Sequence, residues 1–132
     1  MDRSRLEAFT LFDGLTPDEL GALADVASEV VAGEGQTLAA EGDFGHALYA
    51  IESGTADVSR EGETVRALGP GDVFGEVAVL ASGRRTATVT ATSAMTLIAV
   101  FKRDVWRLEQ RSPEAAERLR GLVADRLAGQ TS

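Results

Sequence analysis

Between residues 29 and 83 no stretch of this chain goes far without a glycine. Glycines at 33, 35, 42, 45, 54, 62, 69, 71, 75 and 83 divide it into short runs in which apolar and polar residues alternate, a texture with turn signals roughly every eight to twelve residues. Helices of ordinary length do not fit, and the pattern predicts an all-β roll or barrel. Strands are expected over 29–31, 37–40, 47–52, 56–60, 64–68, 86–91 and 95–101. Turns are expected at Glu41-Gly42-Asp43, Ser53-Gly54, Glu61-Gly62 and Gly69-Pro70-Gly71-Asp72. The expected fold class is mainly β with flanking helices: an eight-stranded, jelly-roll-like β-roll.

The flanks carry a different signal. Thr16 offers a capping hydroxyl, Pro17 stands at the first helical position and Glu19 follows three residues after the cap, which predicts a helix over 17–27. Leu20, Leu23, Ala24 and Ala27 give it one apolar face, and Leu6, Phe9 and Phe12 predict a shorter helical segment beside it. After Phe101 glycine becomes rare. A helix is predicted over 102–110 and, with Ser112 as cap and Pro113 in first position, another over 113–128. Leu119, Leu122, Val123 and Leu127 line one face of the last helix, a stripe too short for a self-sufficient coiled coil. We expect it to pack back on the roll rather than form a dimer seam, with a homodimer as the alternative. Trp106 is expected to pack in the core or between helices, and His46 to be exposed beside the Asp43 turn. The 132 residues read as a single domain: N-terminal helices over 1–28, roll over 29–101, C-terminal helices over 102–128.

Several function classes are disfavoured. Without cysteine there are no disulfides, thiolate nucleophiles or cysteine-built zinc sites, and one histidine makes a multi-ligand metal centre improbable. No G-x-S-x-G, Walker-type loop or H-E-x-x-H helix is present. The start has no apolar signal core, and the longest apolar run, 94–101, falls far short of the ~20 residues of a membrane span. The expectation is a cytoplasmic protein that is not an enzyme and needs no metal or cofactor. A net charge of −8 repels polyanions at long range, so an anionic ligand must be captured by local groups.

One run reverses that charge. In VFGEVAVLASGRRTATVTAT, beginning at Val73, the adjacent pair Arg84 and Arg85 stands just before an alternating strand, Arg85 nine residues after Glu76. Together, Phe74-Gly75-Glu76-Val77-Ala78-Val79-Leu80 and then Arg85-Thr86-Ala87-Thr88-Val89 resemble the phosphate-binding cassette of the cyclic nucleotide-binding domain family. Glu41-Gly42-Asp43, Leu48-Tyr49-Ala50-Ile51, Gly54, Asp57-Val58 and Leu68-Gly69-Pro70-Gly71-Asp72 are similar to that family's strand and turn signatures. The resemblance spans nearly the whole chain.

The resemblance implies a sensor for a 3′,5′-cyclic purine nucleotide, cAMP or else cGMP, with Phe74, Gly75, Glu76, Val77, Ala78, Arg85, Thr86 and Ala87 as binding residues. Arg85 would place two parallel charge-assisted donors on the phosphate. Glu76 would accept from the ribose 2′-hydroxyl, and Gly75 would let the backbone approach the sugar. A short helical turn near Glu76 would aim the Ala78 N–H at the phosphate. Thr86 leaves the base undecided. Arg84 stands where the family often has proline, and its role stays open. Leu122, Val123 and Arg126, with Leu127, are lid candidates, and repositioning of the last helix would signal to a protein partner in trans or to a missing effector domain. Only residues 129–132 follow that helix, so direct DNA binding is not expected. Two plainer alternatives remain: Glu76 and Arg85 as a structural ion pair, or a roll serving only as a protein-interaction module.

Overall fold

The computed structural model describes residues 1–42, 47–76 and 87–130, the last two by backbone alone. Eight strands appear among them: β1 (Ser28–Ala32), β2 (Thr37–Ala39), β3 (Ala47–Ser53), β4 (Ala56–Arg60), β5 (Glu63–Leu68), β6 (Val73–Phe74), β7 (Thr88–Ala91) and β8 (Met95–Phe101). They form two four-stranded sheets, ordered β1-β8-β3-β6 and β2-β7-β4-β5, with every pairing antiparallel. The two short 3-10 helices Arg3–Ala8 and Thr10–Phe12 and α1 (Pro17–Val26) precede the roll, and α2 (Lys102–Arg111) and α3 (Pro113–Gln130) follow it. No helix of the described residues is long and apolar enough to cross a membrane.

Strand periodicity explains the layering. Every strand contributes to a core between the sheets, built from Ala32, Ala39, Ile51, Ala56, Val58, Leu68, Phe74, Val89, Ala91, Met95 and Leu97. Successive side chains point to opposite faces of a strand, so the alternate residues Leu48 and Ala50 of β3, Val73 of β6, and Ile98 and Val100 of β8 face the other way. They join a second core with Leu6, Phe9 and Phe12, Leu20 and Leu23 of α1, Val105 and Leu108 of α2, and Leu119 and Val123 of α3. Being buried on both faces, β3 and β8 read as nearly continuous apolar runs instead of clean alternations. The β4–β5 hairpin closes through Glu61 and Gly62, both at positive φ (51° and 82°), as a two-residue turn matched to strand twist requires.

The sequence expectations hold for element type and differ at particular places. β6 escaped the strand assignment because two residues between turns carry no periodicity, yet it pairs with β3. The N-terminal segment forms 3-10 turns, as suits a run too short to sustain an α-helix by itself. Leu119 and Val123 are fully buried against the roll-facing core and Leu122 and Leu127 half-buried beside it, so the apolar stripe of α3 packs back on the domain. Trp106 corrects the sequence reading: it is 63% exposed. On α2 the inward positions are Asp104, Val105 and Leu108, and the helical rotation carries position 106 outward. His46 and Asp43 lie outside the described residues.

The predicted capping box at Thr16 is formed. Thr16 N–H donates to Glu19 Oε1 at 2.9 Å, and Glu19 N–H donates to Thr16 Oγ1 at 3.2 Å. Arg118 of α3 reaches the same carboxylate at 2.8 Å, tying the last helix to the first. The Thr16 backbone bond, followed by Arg118, holds the Glu19 carboxyl below its ordinary pKa. A depressed folded-state pKa stabilises the fold above the ordinary carboxylate range, near ~4.3, and that stability is lost as pH falls through the lower folded value. Urea unfolding of wild type and Glu19→Gln should therefore differ by a constant amount from neutral pH to about pH 5, and the difference should shrink below it. A gap that stays unchanged in acid would reject this role.

Candidate ligand site at the β6 turn

Antiparallel pairing with β3 sets Tyr49 opposite Phe74 and Ala50 opposite Val73. Tyr49 and Phe74 stack with ring centroids 5.1 Å apart and planes 27° from parallel, which fixes the end of β6 against the inner core. Gly75 follows at φ +81°, a left-handed conformation that favours glycine. The chain thereby turns out of the strand and sets down Glu76, buried to 7% exposure.

A buried carboxylate needs a partner, and here α3 supplies one. Arg126 Nε donates to Glu76 Oε1 at 2.7 Å, and the same guanidinium donates from Nη2 to the Val73 carbonyl at 3.3 Å. One side chain thus bridges the carboxylate and the backbone of β6. The fork geometry of arginine permits this; a lysine ammonium offers a single point of charge on a flexible stem. Burial of Leu119 and Val123 against the core aims the helix so that position 126 arrives at the turn.

The predicted binding residues are distributed as follows. Phe74, Gly75 and Glu76 form one continuous corner. Ala87 is half-buried against the inner core just before β7. Val77, Ala78, Arg84, Arg85 and Thr86 lie outside the described residues, as does the short helical turn expected near Glu76. Of the lid candidates, Arg126 meets Glu76 directly, whereas Val123 is wholly inside the helical core and Leu122 is half-buried against it. The Leu122 side chain also lies against Gly14, where any added Cβ would collide with it.

Sequence reasoning selected Arg126 for the lid without pairing it to Glu76, because 50 residues separate them and no local pattern encodes the contact. It also missed the stacking of Tyr49 on Phe74. Period-two alternation within β3, which groups Tyr49 with the inward-facing Ile51, is the signal that points to it.

A family model described as cyclic nucleotide-binding domain matches residues 29–112. The chain belongs to that family. It is 34% identical over 122 residues to the Cyclic AMP receptor protein of Thermus thermophilus, covering 89% of this chain and 56% of that protein. It is 39% identical over 104 residues to a cAMP-dependent protein kinase regulatory subunit of Eremothecium gossypii, covering 78% of this chain and 23% of that one. The chain therefore spans about half of the first relative and less than a quarter of the second. Among solved structures, the N-terminal domain of a transcriptional regulator from Streptomyces coelicolor A3(2) superposes with a TM-score of 0.80 at 31% identity, covering 98% of this chain and 95% of that one. The mainly β roll with flanking helices is the fold of this family.

Arg126→Ala removes the guanidinium that pairs with the buried Glu76 carboxylate. The expected cost is about 1–3 kcal/mol of unfolding free energy, towards the lower end because Arg126 retains 30% side-chain exposure. In the double variant with Glu76→Gln the two losses should not add, and the coupling in urea-unfolding cycles should be about 0.5 kcal/mol or more. Strict additivity would mean that the pair contributes nothing to the fold.

Proposed function

We propose that this chain is a sensor domain that binds a 3′,5′-cyclic purine nucleotide, cAMP rather than cGMP, at the Phe74-Gly75-Glu76 corner, and transmits its occupancy through α3. The observation that carries this reading is a buried carboxylate at a glycine turn, contacted by a side chain of the C-terminal helix. The cassette sequence ending in Arg85-Thr86-Ala87 supports the choice of ligand, and the names of the two relatives support cAMP.

In this mechanism the ribose 2′-hydroxyl donates to Glu76 and Arg85 takes the phosphodiester, so a cation and an anion hold the two sides of one small fused ring. Both Arg126 and the ribose then address the same carboxylate. A ligand shifts a conformational equilibrium only as far as its affinities for the two states differ. Glu76 can create that difference, since its bond to α3 must be shared or exchanged when the sugar arrives. The occupied and unoccupied domains then differ in the placement of α3, which a protein partner in the cytoplasm or an appended effector domain reads. No reaction is assigned to the site.

The bond between Arg126 and Glu76 also favours a second reading, in which the corner is a structural ion pair and the roll serves as a protein-interaction module without ligand. Calorimetric titration with cAMP, cGMP and a linear 5′-nucleotide separates the two. The sensor reading expects saturable binding of a cyclic nucleotide only, and absence of heat with all three would leave the interaction module. Arg85→Ala should cost about 2–5 kcal/mol of binding, or roughly 30- to 3000-fold in affinity. Titration indistinguishable from wild type would remove Arg85 from the phosphate. Hydrogen exchange over 119–128 should change when cyclic nucleotide is added, and unchanged protection there would sever α3 from the signal while leaving binding intact.

A further inference from the structure

The outward face of α2 has no role in the site described above. Lys102, Arg103, Trp106, Arg107 and Gln110 are all exposed, and their spacing puts them on one side of the helix. Trp106 is the sole tryptophan of the chain, and among the described residues only it, Val31 and Val65 are large apolar side chains counted as exposed. Arg103 lies over the half-buried Phe101 ring, 5.0 Å from its centroid, and brings that ring into the same patch. Arg107 touches the buried Asp104 at 3.4 Å while keeping 56% of its side chain in solvent. Among the described residues neither Lys102 nor Arg103 has a carboxylate within ion-pair distance, in a chain with 21 acidic and 13 basic residues.

Neither negative charge of this helix stands unpaired on that face, Asp104 lying buried beneath Arg107. Asp104 is buried and accepts the Phe101 N–H at 2.9 Å, and Glu109 pairs with Arg120 of α3 at 3.0 Å. What remains outward is an indole surrounded by cations. Tryptophan and arginine are the residue types most enriched where partner proteins bind tightly, and a desolvated aromatic anchor with a charged rim is the usual plan of such a contact.

We propose that this face of α2 docks a partner protein through a short acidic segment carrying an apolar residue, with carboxylates on Lys102, Arg103 and Arg107 and the apolar side chain against Trp106. Charge selects this occupant over three others. A second copy of the chain, an anionic membrane and a nucleic acid each present an extended negative field to a domain of net charge −8 and are repelled as a whole. A short segment lies within about one Debye length, ~8 Å, of the local cations and is attracted by them.

The sole tryptophan reports directly on the face. The full chain is titrated with a synthetic peptide alternating glutamate and leucine, with the same peptide bearing lysine for glutamate, and with phosphatidylserine vesicles, while indole emission and acrylamide quenching are followed. The expected result is a saturable blue shift and protection from quenching with the acidic peptide alone. It should weaken with added salt and by about tenfold or more in Lys102→Glu/Arg103→Glu, a variant whose unfolding midpoint in urea stays close to wild type because both side chains are exposed. Absence of a saturable shift with the acidic peptide overturns the proposal. So does an equal response to the basic peptide, a larger response to the vesicles, or a blue shift that grows with protein concentration alone and marks self-association.

Discussion

Burial of β3 and β8 on both faces is the constraint that organises this domain. A β-roll needs only its inner face covered, but Leu48, Ala50, Ile98 and Val100 turn a second apolar surface outward. Leaving it in water would forfeit about 25 cal/mol for each Å2 of apolar area. Helices from both ends of the chain close over it, α1 and the 3-10 turns from one side and α2 and α3 from the other. The position of α3, and with it the placement of Arg126 at the Glu76 corner, follows from this hydrophobic requirement.

The placement makes the buried carboxylate tolerable. Glu76 is delivered to the interior by a strand of two residues and a left-handed glycine, and an isolated charge there would be costly to desolvate. Arg126 offsets that cost while bonding the β6 backbone. Core packing and site electrostatics are therefore coupled: the rotation of α3 that buries Leu119 and Val123 is the same rotation that brings Arg126 to the turn. Elsewhere α3 is held by its apolar packing and by two further ion pairs, Arg118 with Glu19 of α1 and Arg120 with Glu109 of α2.

Much of the architecture was legible before any coordinates. Glycine spacing marked the roll, the Thr16-Pro17-Glu19 cap marked α1, and Ser112-Pro113 marked the start of α3, because turns and caps are decided by a few adjacent residues. β6 was not legible, since two residues carry no period. Trp106 was misjudged for a related reason: its residue type favours burial, whereas its position on α2 is set by which neighbours face the roll. The motif singled out Phe74-Gly75-Glu76 as a candidate, and the geometry of that corner followed only from pairing with β3.

The amino-acid sequence by itself determined the class of fold, the order of its elements and the family, because these rest on local conformational preferences and short motifs. Tertiary structure alone decided that Glu76 is bonded by Arg126, that Val123 is core while Arg126 reaches the turn, and that an indole stands in solvent among cations. Each of these depends on which face of a helix meets a sheet formed by distant residues. Nothing within one turn of the chain encodes that choice, which is made when two apolar surfaces are buried at once.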